Sequence, residues 1–105
     1  MKVAVACDGL VVAPYFVQST SFMIYTVRYG VVVDSRNFIA IDQPIKQLAE
    51  LLRSLGVDTI IVGRIDAGKV AALEAAGLEV IQNAADDPLI AVREYLTSIL
   101  VAIED

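Results

Sequence analysis

The chain has 105 residues, 57% of them hydrophobic, with eight Lys and Arg against thirteen Asp and Glu, no His and a single Cys. That length suits one domain over residues 1–105, and no apolar run approaches the roughly 20 residues that span a bilayer. The net charge of −5 comes without a basic stripe, which argues against a nucleic-acid partner, and the missing His removes the commonest general base and metal ligand.

The chain opens on residues 2–7 (KVAVAC), a short β-branched run too brief for a signal peptide. A cytoplasmic location is expected, and the lone Cys fits a reducing compartment. Residues 8–21 form a loop longer than a hairpin needs, carrying Leu10, Val11, Val12, Tyr15, Phe16 and Val17. Such a loop either packs over a sheet or walls a pocket. Two further strands are predicted over 22–28 and 31–39, joined at Tyr29 and Gly30 by a tight turn.

The second half alternates helix and strand. Pro44 suits a first helical turn, and Ile45, Leu48, Ala49, Leu52 and Leu55 form an apolar stripe that ends at Gly56. Residues 57–62 (VDTIIV) read as a strand buried on both faces, the habit of a central parallel strand. Gly63 then stops the run and suits a left-handed or strained conformation, while Asp66 is placed to cap a helix over 67–76 with Val70, Leu73 and Ala76 inward. A strand over 78–82 follows. The Asp87-Pro88 pair opens a last helix burying Leu89, Val92, Leu96, Ile99, Leu100 and Ile103. Three antiparallel strands followed by α-β-α-β-α predict one mixed five-stranded α/β sheet with helices on both faces. The first strand should lie centrally, parallel to 57–62, so that residues 7–9 and 63–66 meet at one rim, where open α/β sheets hold ligands.

Residues 1–9 (MKVAVACDG), 12–16 (VAPYF), 22–25 (FMIY), 55–63 (LGVDTIIVG) and 75–80 (AAGLEV) together resemble, in order and spacing, the dinitrogenase iron–molybdenum cofactor family. That family includes NifX- and NafY-like proteins and the corresponding domain of NifB. The resemblance runs over nearly the whole chain. It implies a ribonuclease-H-like fold and the binding or carrying of an iron–sulfur or iron–molybdenum cluster precursor. The chain departs from the family at both loops. Tyr15 stands where the family's Ser/Ala-Pro/x-His-Phe-Gly loop carries its His, and Val17 replaces that loop's Gly. Of the usual Gly-Gly-x-Gly only Gly63 survives, followed by Arg64, Ile65 and Asp66. The departures imply a degenerate site.

Cys7, Asp8, Tyr15, Gly63, Arg64 and Asp66 are therefore expected to line a pocket between the loops 8–17 and 63–67. Cys7 is either a thiolate ligand for iron or a small buried hydrophobe. Asp8 and Asp66 either hold a divalent cation or serve an Asx turn and a helix cap, and the local roles suffice. Arg64 either binds a small anion or pairs with Asp66 or Asp8, the pairing being the simpler expectation. Tyr15 and Phe16 either stack on a ligand or anchor the loop. No catalytic motif and no nucleotide-binding glycine pattern occurs, so no enzymatic activity is expected. The alternative is a protein-interaction module or homo-oligomer that kept the scaffold and lost the ligand.

Overall fold

The structure, a computed structural model, describes the backbone of residues 1–104 and the side chains of residues 1–99. Its strands are β1 (Lys2–Asp8), β2 (Val11–Val12), β3 (Ser21–Arg28), β4 (Val31–Ile39), β5 (Thr59–Ile61) and β6 (Glu79–Ile81). The helices are α1 (Ile45–Ser54), α2 (Ala67–Ala75) and α3 (Pro88–Glu104), with a 3₁₀ turn at Phe16–Gln18. The mixed sheet runs β4-β3-β1-β5-β6, with β2 paired to β1 outside that path. The sheet therefore has six strands where five were expected, the extra one lying inside the supposed long loop.

That loop was misread because its turn is so short. Asp8 pairs with Val11, leaving only Gly9 and Leu10 to reverse the chain. Gly9, the first of the two loop residues, sits at φ 66, the positive dihedral that a Gly-first two-residue turn requires. At the next hairpin Tyr29 and Gly30 take φ 53 and 73, both positive as in a type I′ turn.

β1 is central, antiparallel to β3 and parallel to β5, with Val3, Ala4 and Val5 opposite Thr59, Ile60 and Ile61. Alternate residues of these strands feed two apolar layers. Ala4, Ala6, Phe22, Ile24, Ile60 and Val62 pack against Leu48, Ala49 and Leu52 of α1 and Leu73 of α2. Val3, Val5, Cys7, Tyr25, Val27 and Ile61 pack against Ala91, Val92 and Leu96 of α3. Helices thus cover both faces. Leu73 is fully buried, whereas Val70 and Ala76 are only half-buried. The expected Leu100 and Ile103 side chains lie outside the described residues.

The helix ends follow from their local residues. Asp66 accepts the Lys69 amide at 2.9 Å as the N-cap of α2. Pro44 is the N-cap of α1 rather than its first helical residue. Asp87 accepts the amide of Leu89 at 2.8 Å at the head of α3. α3 is tied to the sheet by Tyr95, whose hydroxyl donates to Glu79 at 2.5 Å and lies 3.1 Å from the Thr59 hydroxyl. Burial, and then the hydrogen bond to Glu79, push the Tyr95 phenol up from its ordinary value. Among the described residues no helix is long and apolar enough to cross a membrane.

Candidate functional site

At the carboxyl ends of β1 and β5 an open α/β sheet usually splays to leave a crevice. Here β2 fills it. Once β5 stops pairing at Val5, β2 takes over the edge of β1, with Cys7 opposite Val12 and Asp8 opposite Val11. The chain then runs on beside the β5 loop. Ala13 donates to the Ala6 carbonyl at 3.0 Å, Arg64 to Pro14 at 2.9 Å, and Phe16 to Arg64 at 2.7 Å. Tyr15 and Arg64 form a parallel bridge.

This stitching explains Gly63. A Cβ built there would lie 2.3 Å from the Ala13 carbonyl oxygen and 2.7 Å from that of Pro14. Gly63 does not take a positive φ. Its glycine is needed for close backbone approach, and of the two expected conformations, left-handed or strained, the left-handed one is not adopted. The two loops therefore meet main chain to main chain.

What remains open is a shallow cleft of about 300 Å³ on the outer side of this seam, lined by Tyr15, Phe16, Val17, Arg64, Ile65, Asp66 and Lys69. A second cleft of about 330 Å³ adjoins it, sharing Phe16, Val17 and Lys69 and reaching Pro44 and Leu48. A larger cavity of about 690 Å³ opens at the other end of β1, between Met1, Val27, Tyr29, Leu96 and Ile99, with Arg28 at its edge. It is far from the rim and mostly apolar.

Of the six expected site residues the structure brings three into the cleft: Tyr15, Arg64 and Asp66. Asp66 is already engaged, since its other oxygen meets the Lys69 ammonium at 2.7 Å. The hydrogen bonds from Lys69 hold its carboxyl below the usual carboxylate range. The expected pairing of Arg64 with Asp66 or Asp8 is not formed. Lys69 takes Asp66, and Arg64 instead lies over the Tyr15 ring, 5.9 Å from its centre. Among the described residues Arg64 has no carboxylate partner.

Asp8 is exposed at the end of β1 and Gly63 lies under the seam; neither lines the cleft. Cys7 faces the α3 side of the sheet, 3% exposed, with its thiol 3.4 Å from the Val5 carbonyl. Burial pushes the Cys7 thiol up, opposing thiolate formation. Among the described residues no three His, Cys, Asp or Glu side chains gather as a metal site. Four further residues line the cleft beyond the expected site residues: Phe16, Val17 and Ile65, which belong to the two expected loops, and Lys69. Lys69 was legible as the third helical position after the Asp66 cap, where a long cation folds back on the cap.

Comparison with known proteins bears on the fold and the class. A family model described as dinitrogenase iron–molybdenum cofactor matches residues 1–98. A solved structure from Methanocaldococcus jannaschii, described as a candidate dinitrogenase, superposes with a TM-score of 0.77 at 16% identity, covering 93% of this chain and 89% of its own. A candidate NifB protein from Thermotoga gives 0.69 at 20% identity, covering 90% and 85%. The apo form of the orange protein from Desulfovibrio gigas gives 0.65 at 22%, covering 96% and 88%. At these identities the likenesses establish a shared α/β fold. No curated protein matches the chain.

Proposed function

The chain belongs to the dinitrogenase iron–molybdenum cofactor family, and on that premise we propose that it is a small non-catalytic binding domain for an anionic metal-cluster species or precursor. The family match over residues 1–98 carries this reading. The manner of binding follows from the donor set. The cleft offers no thiolate and no imidazole, and the one Cys is sealed in the core. These residues do not fit a cluster whose iron is ligated by protein thiolate or imidazole. The cargo is instead a cluster that brings its own ligands, held by charge and contact.

Arg64 supplies the charge and Tyr15 a flat apolar wall, with Val17 and Ile65 completing the cleft. A guanidinium free of carboxylates suits an anion better than one already paired. Lys69 contributes less, because Asp66 neutralises it. Asp8 and Gly63 act on this site only by shaping the rim. Cluster-handling here is recognition rather than coordination, a site reduced from the family pattern.

The test is anaerobic incubation with a preformed, thiolate-ligated iron–sulfur cluster anion, followed by gel filtration and iron analysis. Iron should travel with the protein, and Arg64→Glu should weaken retention about tenfold or more, equivalent to about 1.4 kcal/mol. Cys7→Ala should retain it. Failure of the wild-type protein to carry iron would end the cluster reading. One observation favours a second reading, a protein-interaction module. Leu10 is 93% and Val17 74% exposed near the same rim, and clustered exposed apolar groups mark interfaces. On that reading no cluster binds, the wild-type chain captures a protein partner, and the Leu10→Ser/Val17→Ser variant does not.

A further inference from the structure

β4 is the outer strand of the sheet, and among the described residues nothing pairs with its free side. Nine residues long, it is the longest strand and exposes nearly every residue. Such an edge presents a row of unpaired amide and carbonyl groups, a template for another strand. Proteins usually blunt such edges with charges and bulges. β4 has both: Asp34 and Arg36 at its centre, and an extra residue, Val33, where the pairing with β3 shifts.

The order of these residues alters what the charges do. Asp34 and Arg36 flank Ser35, lie opposite Thr26 and Ile24, and so share one face of the sheet. Their side chains meet at 3.4 Å. Antiparallel pairing of two identical strands about a twofold axis sets one residue opposite its own copy. With the axis at Ser35, Asp34 of each copy faces Arg36 of the other. An axis at Asp34 or Arg36 sets like charges together, and one at Val33 or Asn37 leaves both charges facing uncharged residues. Opposite charges across strands stabilise pairing and like charges oppose it. The edge is self-complementary in one register.

We propose that the outer edge of β4 pairs antiparallel with the same edge of a second copy of this chain, about a twofold axis at Ser35. The sheets become continuous across the axis, and the contact is isologous, the same patch on both copies. On either side of the central ladder, Val31 and Val33 of one copy come beside residues 37–39 of the other. Val31 is 60%, Val33 54% and Ile39 70% exposed in the single chain, so each loses apolar surface to the pairing. The bulge at Val33 bends the strand and limits the regular ladder, so the charges carry the register.

Sedimentation equilibrium from micromolar to millimolar protein, at about 0.15 M salt to screen the net charge, should show a monomer–dimer equilibrium. Arg36→Asp should weaken the dimer about tenfold or more, because it sets like charges opposite each other across the axis. The double variant Asp34→Arg/Arg36→Asp should restore it by exchanging the partners. Ser35→Cys should form an intermolecular disulfide under mild oxidation, Cys7 being buried. Circular dichroism confirms that each variant is folded. A wild-type chain monomeric throughout, a dimer indifferent to Arg36→Asp, or a folded double variant that stays monomeric would each overturn the proposal.

Discussion

Gly63 shows how one missing methyl group organises the rim. A Cβ at 2.3 Å from the Ala13 carbonyl cannot be absorbed by a flexible side chain, because the obstacle is backbone. Gly63→Ala should therefore push residues 13–15 away from Arg64 and cost about 1–3 kcal/mol, in the range of overpacked interiors. Urea unfolding measures the loss, and slower protection of the Phe16 and Arg64 amides is not expected: both should exchange faster. Tyr29 is the opposite case. It is fully exposed at φ 53, a conformation that suits Asn far better than an aromatic residue. Tyr29→Asn should stabilise the chain by about 0.5–1 kcal/mol, read as a higher urea midpoint with an unchanged slope.

At the scale of elements, α2 depends on Asp66 twice, as cap to the Lys69 amide and as partner to the Lys69 ammonium. Its carboxyl is held below the ordinary value by those bonds. A depressed folded-state value means that Asp66 adds stability above the unfolded carboxylate value, near 3.9, and loses it as pH falls through the folded one. Asp66→Asn keeps a capping oxygen and removes the charge. The variant should therefore match the wild type more closely in melting temperature below pH 3 than at pH 6. Elements of this kind were legible in the sequence because their signals are local: the Asp66 cap, the stripe ending at Gly56, the β-branched run before Gly63. β3 and β4 lay within one residue of their predicted ends, since the Tyr29-Gly30 turn defines both. β2 was not legible as a strand, although Gly9 permits a two-residue turn before it. Two residues make no periodicity, and only the tertiary gap between β1 and β5 gives them a partner. The strand expected over 57–62 pairs regularly only at Thr59–Ile61, as Val57 and Val62 bond to α1 and β6 backbone from its ends.

For the whole molecule, the same local signals placed the rim but not what occupies it. The expected residues Tyr15, Arg64 and Asp66 do share a cleft, because β1 and β5 run side by side as the crossover rule requires. Cys7 turned inward because alternation along β1 assigns odd-numbered residues to the α3 face, and its neighbours Val3 and Val5 lie there too. Sequence spacing contained that parity. What it lacked was which face would carry the cleft. The central position of Cys7 makes it a reporter of cooperative opening. Its thiol, buried and shifted up, should react with an alkylating reagent only at the rate of global unfolding, matching the slowest-exchanging amides. Fast labelling under native conditions would show that the β1–β2 corner opens by itself.

The seam between residues 13–16 and 63–64 is made of peptide groups, which every sequence supplies, with one glycine as its sole demand on side-chain identity. The exposed positions 15, 17 and 64 are thereby freer of duty in folding, whereas Ile65 still packs against the core. On the proposed reading, cargo preference can drift by substitution at those three exposed places while the architecture beneath stays the same.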